Sequence, residues 1–235
     1  MRCGGAIVPR HKFDRSLLPE NPDLTFEQRL WGMGVRFVAG VDEAGRGALA
    51  GPVAAGAVVL PWEDDCLIEN LEGVRDSKVM TAKARTHWAE VIKRTALAWG
   101  VGFASAQEID RMGILPATRL AAFRALAKLD LSVEHVLIDY LILPEIEIPQ
   151  TPLVKGDARS LSIACASVLA KTARDAVLVE MEKTYPGYGF ASHKGYATEA
   201  HRKAIAALDP CEQHRCTFSP VCDYYSLFPP ESLCS

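Results

Sequence analysis

Four acidic residues stand where carboxylates can do chemistry. Asp42 and Glu43 follow a short apolar run, Phe37-Val38-Ala39-Gly40-Val41, and precede the turn Ala44-Gly45-Arg46-Gly47. Asp139 closes a second run, His135-Val136-Leu137-Ile138, and Asp157 lies between Lys155-Gly156 and a long helical stretch. Carboxylates held close together repel one another and retain protons until a cation relieves the repulsion. Magnesium and manganese prefer such hard oxygen donors. Two ions ~3.5–4 Å apart stabilise both the attacking and the leaving oxygen of an in-line phosphoryl displacement. Taken singly, each acid reads better as a helix cap or a solvated side chain. Beside Gly-Arg-Gly the two readings balance, and the decision rests on whether the strands carrying Asp42 and Asp139 are neighbours.

The elements that must position these acids follow from periodicity. The first strand begins at Phe37 and is expected to end before Asp42, and Pro52 to Leu60, rich in Val and Ala, reads as a strand paired with it. Thr81 opens a helix whose apolar face is expected to include Trp88, Val91, Ile92 and Trp99. A third strand runs from about Gly100 to Phe103. Pro116 to Ala127 reads as a helix burying Leu120, Phe123 and Leu126, and His135 to Asp139 as a fourth strand. Leu161 to Lys183 is the strongest helix, stopped by Tyr185-Pro186-Gly187. Thr198 to Leu208 is a further helix. The order β-β-α-β-α-β-α predicts an α/β fold whose sheet starts antiparallel and becomes mixed. Residues 1–36 read as a peripheral N-terminal extension, with a short helix over Thr25 to Trp31. Residues 37–235 read as one catalytic domain with its C-terminal helical region and tail.

Composition narrows the function class. A net charge of -3 argues against coating nucleic acid by bulk attraction, although charge can still be local. The longest apolar stretch, Val53 to Pro61, is too short to cross a bilayer. No apolar run follows the basic residues Arg2, Arg10, Lys12 and Arg15, so a cytoplasmic location is expected. The cysteine count is odd, at seven, which is poor ground for a disulfide framework. Cys211, His214, Cys216 and Cys222 fit no common zinc spacing and are expected to be free. Between Lys155 and Lys203, the cations Lys155, Arg159, Lys171, Arg174, Lys183, Lys194, Arg202 and Lys203 outnumber the acids, a pattern that could position a duplex without reading its sequence.

Several motifs in one order then carry a resemblance. Val41-Asp42-Glu43-Ala44-Gly45-Arg46-Gly47, continuing through Leu49-Ala50-Gly51-Pro52, resembles the opening motif of the bacterial ribonuclease HII family. Asp76-Ser77-Lys78, Leu137-Ile138-Asp139, Lys155-Gly156-Asp157 with Ser160 to Asp175, Tyr188-Gly189-Phe190, His193-Lys194-Gly195-Tyr196 and His214-Arg215 with Phe218 and Pro220-Val221 follow in the family's order. The resemblance covers about Phe37 to Val221. It implies an RNase H-like mixed sheet flanked by helices, with a small helical C-terminal portion. It implies two divalent ions, Mg²⁺ or Mn²⁺, held by Asp42, Glu43, Asp139 and Asp157. It also implies cleavage of RNA in RNA–DNA hybrids and 5′ of single ribonucleotides in duplex DNA, giving 3′-hydroxyl and 5′-phosphate ends. Gly45-Arg46-Gly47 would sense the 2′-hydroxyl, which both donates and accepts. Tyr196 would pack on the next sugar, and Ser77, Lys78, Ser167 and Lys194 are candidate phosphate contacts. His193 is not expected to be a catalytic base.

The chain departs from the family pattern at Ala48, where proline is usual, at Val79-Met80 after Asp76-Ser77-Lys78, and at Cys216, where a basic residue is typical. None of these removes a proposed ligand. Tyr224-Tyr225-Ser226-Leu227-Phe228 is similar to a sliding-clamp-binding peptide, against which stands the plainer reading of a tail docked on its own domain. A monomer is expected. Two competing readings remain: a ribonuclease HIII-like nuclease, which Arg46 and the short first segment disfavour, and a catalytically silent hybrid-binding module, which the presence of all four acids disfavours.

Overall fold

The computed structural model describes residues 13, 14 and 18–225. In chain order the helices are α1 Thr25–Trp31, α2 Leu67–Asn70, α3 Ala82–Thr95, α4 Ala106–Met112, α5 Ile114–Leu126, α6 Leu161–Thr184, α7 Phe190–His193, α8 Glu199–Leu208 and α9 Val221–Tyr225. The strands are β1 Val38–Ala44, β2 Val53–Val59, β3 Ala98–Ala104, β4 His135–Asp139 and β5 Gln150–Leu153. They form one sheet in the order β3-β2-β1-β4-β5. The β1–β2 and β2–β3 pairs are antiparallel, and β1–β4 and β4–β5 are parallel. The antiparallel start and mixed continuation agree with the element order read from sequence. The β5 strand was not expected, because Pro152 interrupts its pattern. As an edge strand it tolerates the missing amide.

Local chemistry sets many helix starts. The Ala84 amide donates to Thr81 Oγ1 at 3.2 Å, and the Ile163 amide to Ser160 Oγ at 3.3 Å. Ser105 and Glu108 form a reciprocal capping box over α4. Each such cap satisfies an amide that the first helical turn leaves without a partner.

The sheet is covered on both faces. Ala39, Val41, Val53, Ala55, Ala57 and Val59 meet α5, whereas Val58 and Leu60 meet α3 and α6. The face of α5 against the sheet is Ala117, Ala121, Ala122 and Ala125, while Phe123 is 49% exposed and Leu120 and Leu126 are only half-buried. This corrects the sequence expectation. Small residues win because the helix lies almost on the strand: a Cβ at Gly102 would stand 2.1 Å from the Ala121 carbonyl oxygen. Trp99 belongs to β3, not to α3, and is 39% exposed. On the other face α6 is seated equally close, since a Cβ at Gly40 would meet the Ser162 carbonyl carbon at 2.2 Å. That close approach holds the start of α6 against the strand bearing Asp42.

The α1 helix docks at the same place. Leu24, Glu27 and Leu30 are buried, and Ser160 Oγ, Ser162 N and Ser162 Oγ all donate to Glu27 Oε1, at 2.6, 3.0 and 2.6 Å. Burial raises the Glu27 pKa, with these hydrogen bonds opposing the rise. Segment 18–36 is therefore tied to the core rather than merely adjacent to it. At the other end, α7 and α8 close a small C-terminal layer through Tyr188, Phe190 and Ile205. No helix among the described residues is long and apolar enough to cross a membrane.

Candidate active site

The β1 strand runs to Ala44, so Asp42 and Glu43 lie within its last turn of pleat and not after it, as the sequence reading had placed them. The parallel register pairs Val41 with Ile138. Asp42 and Asp139 therefore end neighbouring strands on the same side. Asp157 is added from a 3-10 turn, Gly156–Ala158, just before α6. The Gly156 amide donates to Asp139 Oδ1 at 2.7 Å and locks that turn to the end of β4.

The acids act on one another electrostatically. Burial pushes the Asp42 carboxyl well above the usual carboxylate range, and the charges of Glu43, Asp139 and Asp157 push it the same way, against a hydrogen bond from Ser167. Burial, with Asp157 and Glu43, lifts Asp139 to about 6, despite the Gly156 amide. Asp42 and Asp157 are each only 2% exposed. One oxygen of each, Asp42 Oδ2 and Asp157 Oδ1, is buried without a hydrogen-bond partner. An unpartnered buried carboxylate oxygen is costly unless something from outside meets it.

Two cations of the chain reach this cluster. Lys78 Nζ stands 2.9 Å from Asp157 Oδ2, and Arg46 Nη1 3.1 Å from Glu43 Oε1. Burial disfavours the Lys78 ammonium, but the hydrogen bond to Asp157 and the charges of Asp157, Asp42 and Asp76 raise its pKa overall. As placed, the carboxylates are not closed into a cage: no three His, Cys, Asp or Glu side chains among the described residues surround one point closely enough to hold a metal. The fit to a divalent cation rests instead on donor chemistry. Four hard oxygen-bearing groups repel one another, and two of their buried oxygens have no partner.

The turn beside the acids is tightly packed at Gly45 and open at Gly47. Gly45 has φ +92°, and a Cβ there would strike Arg174 Nε at 1.9 Å, so only glycine fits. A Cβ at Gly47 would meet nothing within 4 Å, so nothing inside this chain demands glycine there. The segment after the turn is held between two others: the Leu49 amide donates to the Gly195 carbonyl at 2.8 Å, and the Arg215 amide to the Leu49 carbonyl at 2.8 Å. Tyr196 is thereby brought next to the turn, bridged to Ala48. Lys171 Nζ and the Arg174 guanidinium lie 5.2 and 5.3 Å from its ring centre.

Other expected contacts are placed differently. Ser77 and Ser167 are buried and hydrogen-bonded to each other at 2.9 Å, beneath Asp42. The Lys194 ammonium donates to the Ala191 carbonyl. Of the cations between 155 and 203, Lys171, Lys183 and Lys203 are paired with Asp175, Glu180 and Glu199, and Arg174 is buried. That segment is thus less free to meet phosphate than its composition implied. His193 is held by the Tyr188 carbonyl and the Gly195 amide, at 2.7 and 3.2 Å, and is fully occupied in the fold. The five cysteines among the described residues are free, Cys211, Cys216 and Cys222 included. Ser226, Leu227 and Phe228 of the clamp-like peptide lie outside the described residues.

A family profile described as Ribonuclease HII matches residues 39–221. The chain belongs to the ribonuclease HII family. A ribonuclease HII from Synechococcus sp. (strain JA-3-3Ab) is 52% identical over 202 residues, covering 86% of this chain and 90% of that one. The ribonuclease H2 of Pyrococcus horikoshii OT3 shares the fold at a TM-score of 0.66 and 24% identity, covering 81% of this chain and 98% of that one. A Bst-RNase HIII structure in complex with Mn²⁺ superposes at a TM-score of 0.65 with 19% identity, covering 82% and 70%. Fold similarity alone therefore does not separate types HII and HIII; the family match does. Membership makes the chain a metal-dependent hydrolase of phosphodiester bonds, of the kind that cuts RNA in RNA–DNA hybrids. Motif reading placed Arg174 among cations that could meet a duplex and gave Arg215 no role, whereas both are buried. Both sat in matched segments, but nothing local announces that a surface-type residue will be buried.

Proposed function

We propose that the chain incises duplexes on the 5′ side of a ribonucleotide, in continuous RNA–DNA hybrids and at single ribonucleotides embedded in DNA, leaving 3′-hydroxyl and 5′-phosphate ends. The observation that carries this reading is the pairing of four mutually repelling carboxylates with a glycine turn that is open on its outer side. Asp42 and Asp157 would hold one divalent ion and Glu43 and Asp139 a second; Mg²⁺ and Mn²⁺ suit these donors. Ions so held would supply a nucleophilic water at neutral pH and neutralise charge on the phosphoryl oxygens.

The chain's own residues do the rest. Backbone groups of Gly45-Arg46-Gly47 meet the 2′-hydroxyl, and Gly47 leaves room for the sugar to come close. Tyr196, backed by Lys171 and Arg174, offers a flat face to the neighbouring deoxyribose. Arg46 and Lys78 reach phosphate when they exchange their present carboxylate partners for it. Residues 37–235 form the catalytic domain in this reading, and the family match from 39 supports that start. The extension before it contributes Glu27 to the base of α6. A cytoplasmic monomer acting on cellular DNA fits the chemistry. A sliding-clamp contact through Tyr224 to Phe228 is a separate proposal, checked by clamp affinity of Leu227→Ala with Phe228→Ala.

A labelled DNA duplex carrying one ribonucleotide, incubated with Mg²⁺, Mn²⁺ or EDTA, tests the central proposal. Metal-dependent cutting immediately 5′ of the ribonucleotide is expected. If that duplex stays intact while a continuous hybrid is cut, the single-ribonucleotide claim is wrong and the specificity is HIII-like. Binding without cleavage of either substrate would mark a silent hybrid-binding module.

A further inference from the structure

Arg174 and Arg215 are each fully buried, the two largest such side chains among the described residues. Every hydrogen bond described for their guanidiniums goes to a backbone carbonyl. Arg215 Nη2 donates to Gly45 O at 2.8 Å, Nη1 to Arg46 O at 2.8 Å, and Nε to Gly51 O at 3.1 Å. Arg174 Nε donates to Pro52 O at 2.9 Å, Nη2 to Ala50 O at 3.2 Å, and Nη1 to Lys194 O at 2.9 Å. Burial and the neighbouring Arg174 charge pull Arg215 down to about 9. Two like charges in one buried space are a poor way to build stability alone.

The consequence lies in the peptide planes. In a trans peptide the carbonyl and the amide of the next residue point in opposite directions. With the Gly45 and Arg46 carbonyls drawn inward to Arg215, the amides of Arg46 and Gly47 must point outward. Arg46 and Gly47 are exposed, and a Cβ on Gly47 would meet nothing within 4 Å. Arg174 performs the matching task for the other contact. It grips both the exit of this turn and the Lys194 carbonyl, and its guanidinium lies against the Tyr196 ring. Gly45 has no side chain because Arg174 occupies that place.

We infer that Arg215 and Arg174 are positioning residues for ribose discrimination: Arg215 orients the two outward amides that meet the 2′-hydroxyl, and Arg174 sets the distance from that turn to Tyr196. This rests on the proposed reading of the Gly45-Arg46-Gly47 turn. Lysine keeps the charge but cannot fan three donors to three carbonyls, so Arg→Lys is the informative change.

The test uses full-length protein made cleavage-deficient by Asp139→Asn, with Mg²⁺. Fluorescence anisotropy measures affinity for a duplex with one ribonucleotide and for the same duplex in all-DNA form. Misplacing a contact by about 1 Å costs about 10²-fold. Arg215→Lys and Arg174→Lys, made separately, are expected to cut the ribonucleotide preference at least about tenfold, while all-DNA affinity stays within about twofold. Ile92→Ala, a core change on α3 remote from the turn, serves as a control for lowered stability and should leave the preference intact. An unchanged preference in both lysine variants, or an equal loss in Ile92→Ala, overturns the inference. So does failure of both lysine variants to fold, which would make the guanidiniums scaffold only. If the Asp139→Asn parent itself shows no ribonucleotide preference, the proposed reading of the turn fails, and this inference with it.

Discussion

The two sides of the Gly45-Arg46-Gly47 turn are opposite solutions to burying polar groups. On one side, Asp42, Glu43, Asp139 and Asp157 crowd together, with two buried oxygens left without partners. On the other, every interaction closes within the chain. Arg174 and Arg215 are bonded to carbonyls, and two histidines that burial keeps neutral, His201 and His214, share one hydrogen-bond network. The Cys211 amide donates to His214 Nδ1 at 3.0 Å, which leaves His214 Nε2 to donate to His201 Nε2 at 3.1 Å. His201 Nδ1 then donates to the Tyr196 carbonyl at 3.0 Å. One region keeps two buried carboxylate oxygens without a partner in the chain. The other is satisfied and therefore rigid, and it holds the turn and Tyr196 in place. Rigid support beneath an unsatisfied cluster is the arrangement expected of a preorganised site.

Breaking the unsatisfied side should give the largest effect. Asp42→Asn or Asp139→Asn removes a carboxylate charge from the proposed metal-binding group and is expected to lower kcat about 10³-fold or more. The fold should persist, and the metal-free Tm should rise slightly because a repelling charge is gone. Near-normal turnover in either variant would remove that acid from the site.

A smaller effect should appear without any turnover. Mg²⁺ or Mn²⁺ at a hundredfold excess over Kd is expected to stabilise the protein by about 2.7 kcal/mol, read as a rise in Tm. Asp42→Asn should blunt this rise. An equal rise in the variant would place the ion elsewhere.

The satisfied side should respond to pH instead. Burial lowers His201 and His214 each from 6.5 to about 4. Below about 6.5 the unfolded chain takes up protons at these positions and the folded chain does not, so stability falls as pH drops from about 6.5 to about 4. Above 6.5 the two states bind equally and this contribution is complete. Chemical denaturation of the wild type and of His214→Gln across that range separates the effect from the carboxylates. Parallel curves would show that His214 stays out of the titration.

Much of the fold was legible because local chemistry encodes it. Thr81 and Ser160 cap helices by themselves, and the strands around Asp42 and Asp139 show in their apolar runs. Misreadings arose where a neighbour overrode the pattern. Phe123 was expected inside, but the near approach of α5 to β3 favours alanine there and turns the larger side chain outward. Glu27 was read as part of a short helix in a peripheral extension, yet it is buried against Ser160 and Ser162, more than 130 residues away.

By itself, the sequence determined which family the motifs belong to and named the candidate acids and the candidate sugar-facing turn, because those depend on residue type and short spacing. Tertiary structure alone decided that Asp42 and Asp139 are adjacent, through the parallel pairing of β1 with β4. It also decided that Arg174 and Arg215 lie inside beneath the turn, since the carbonyls of Gly45, Arg46, Ala50, Gly51 and Pro52 that they satisfy lie more than 120 positions away in the chain, and only folding brings those together.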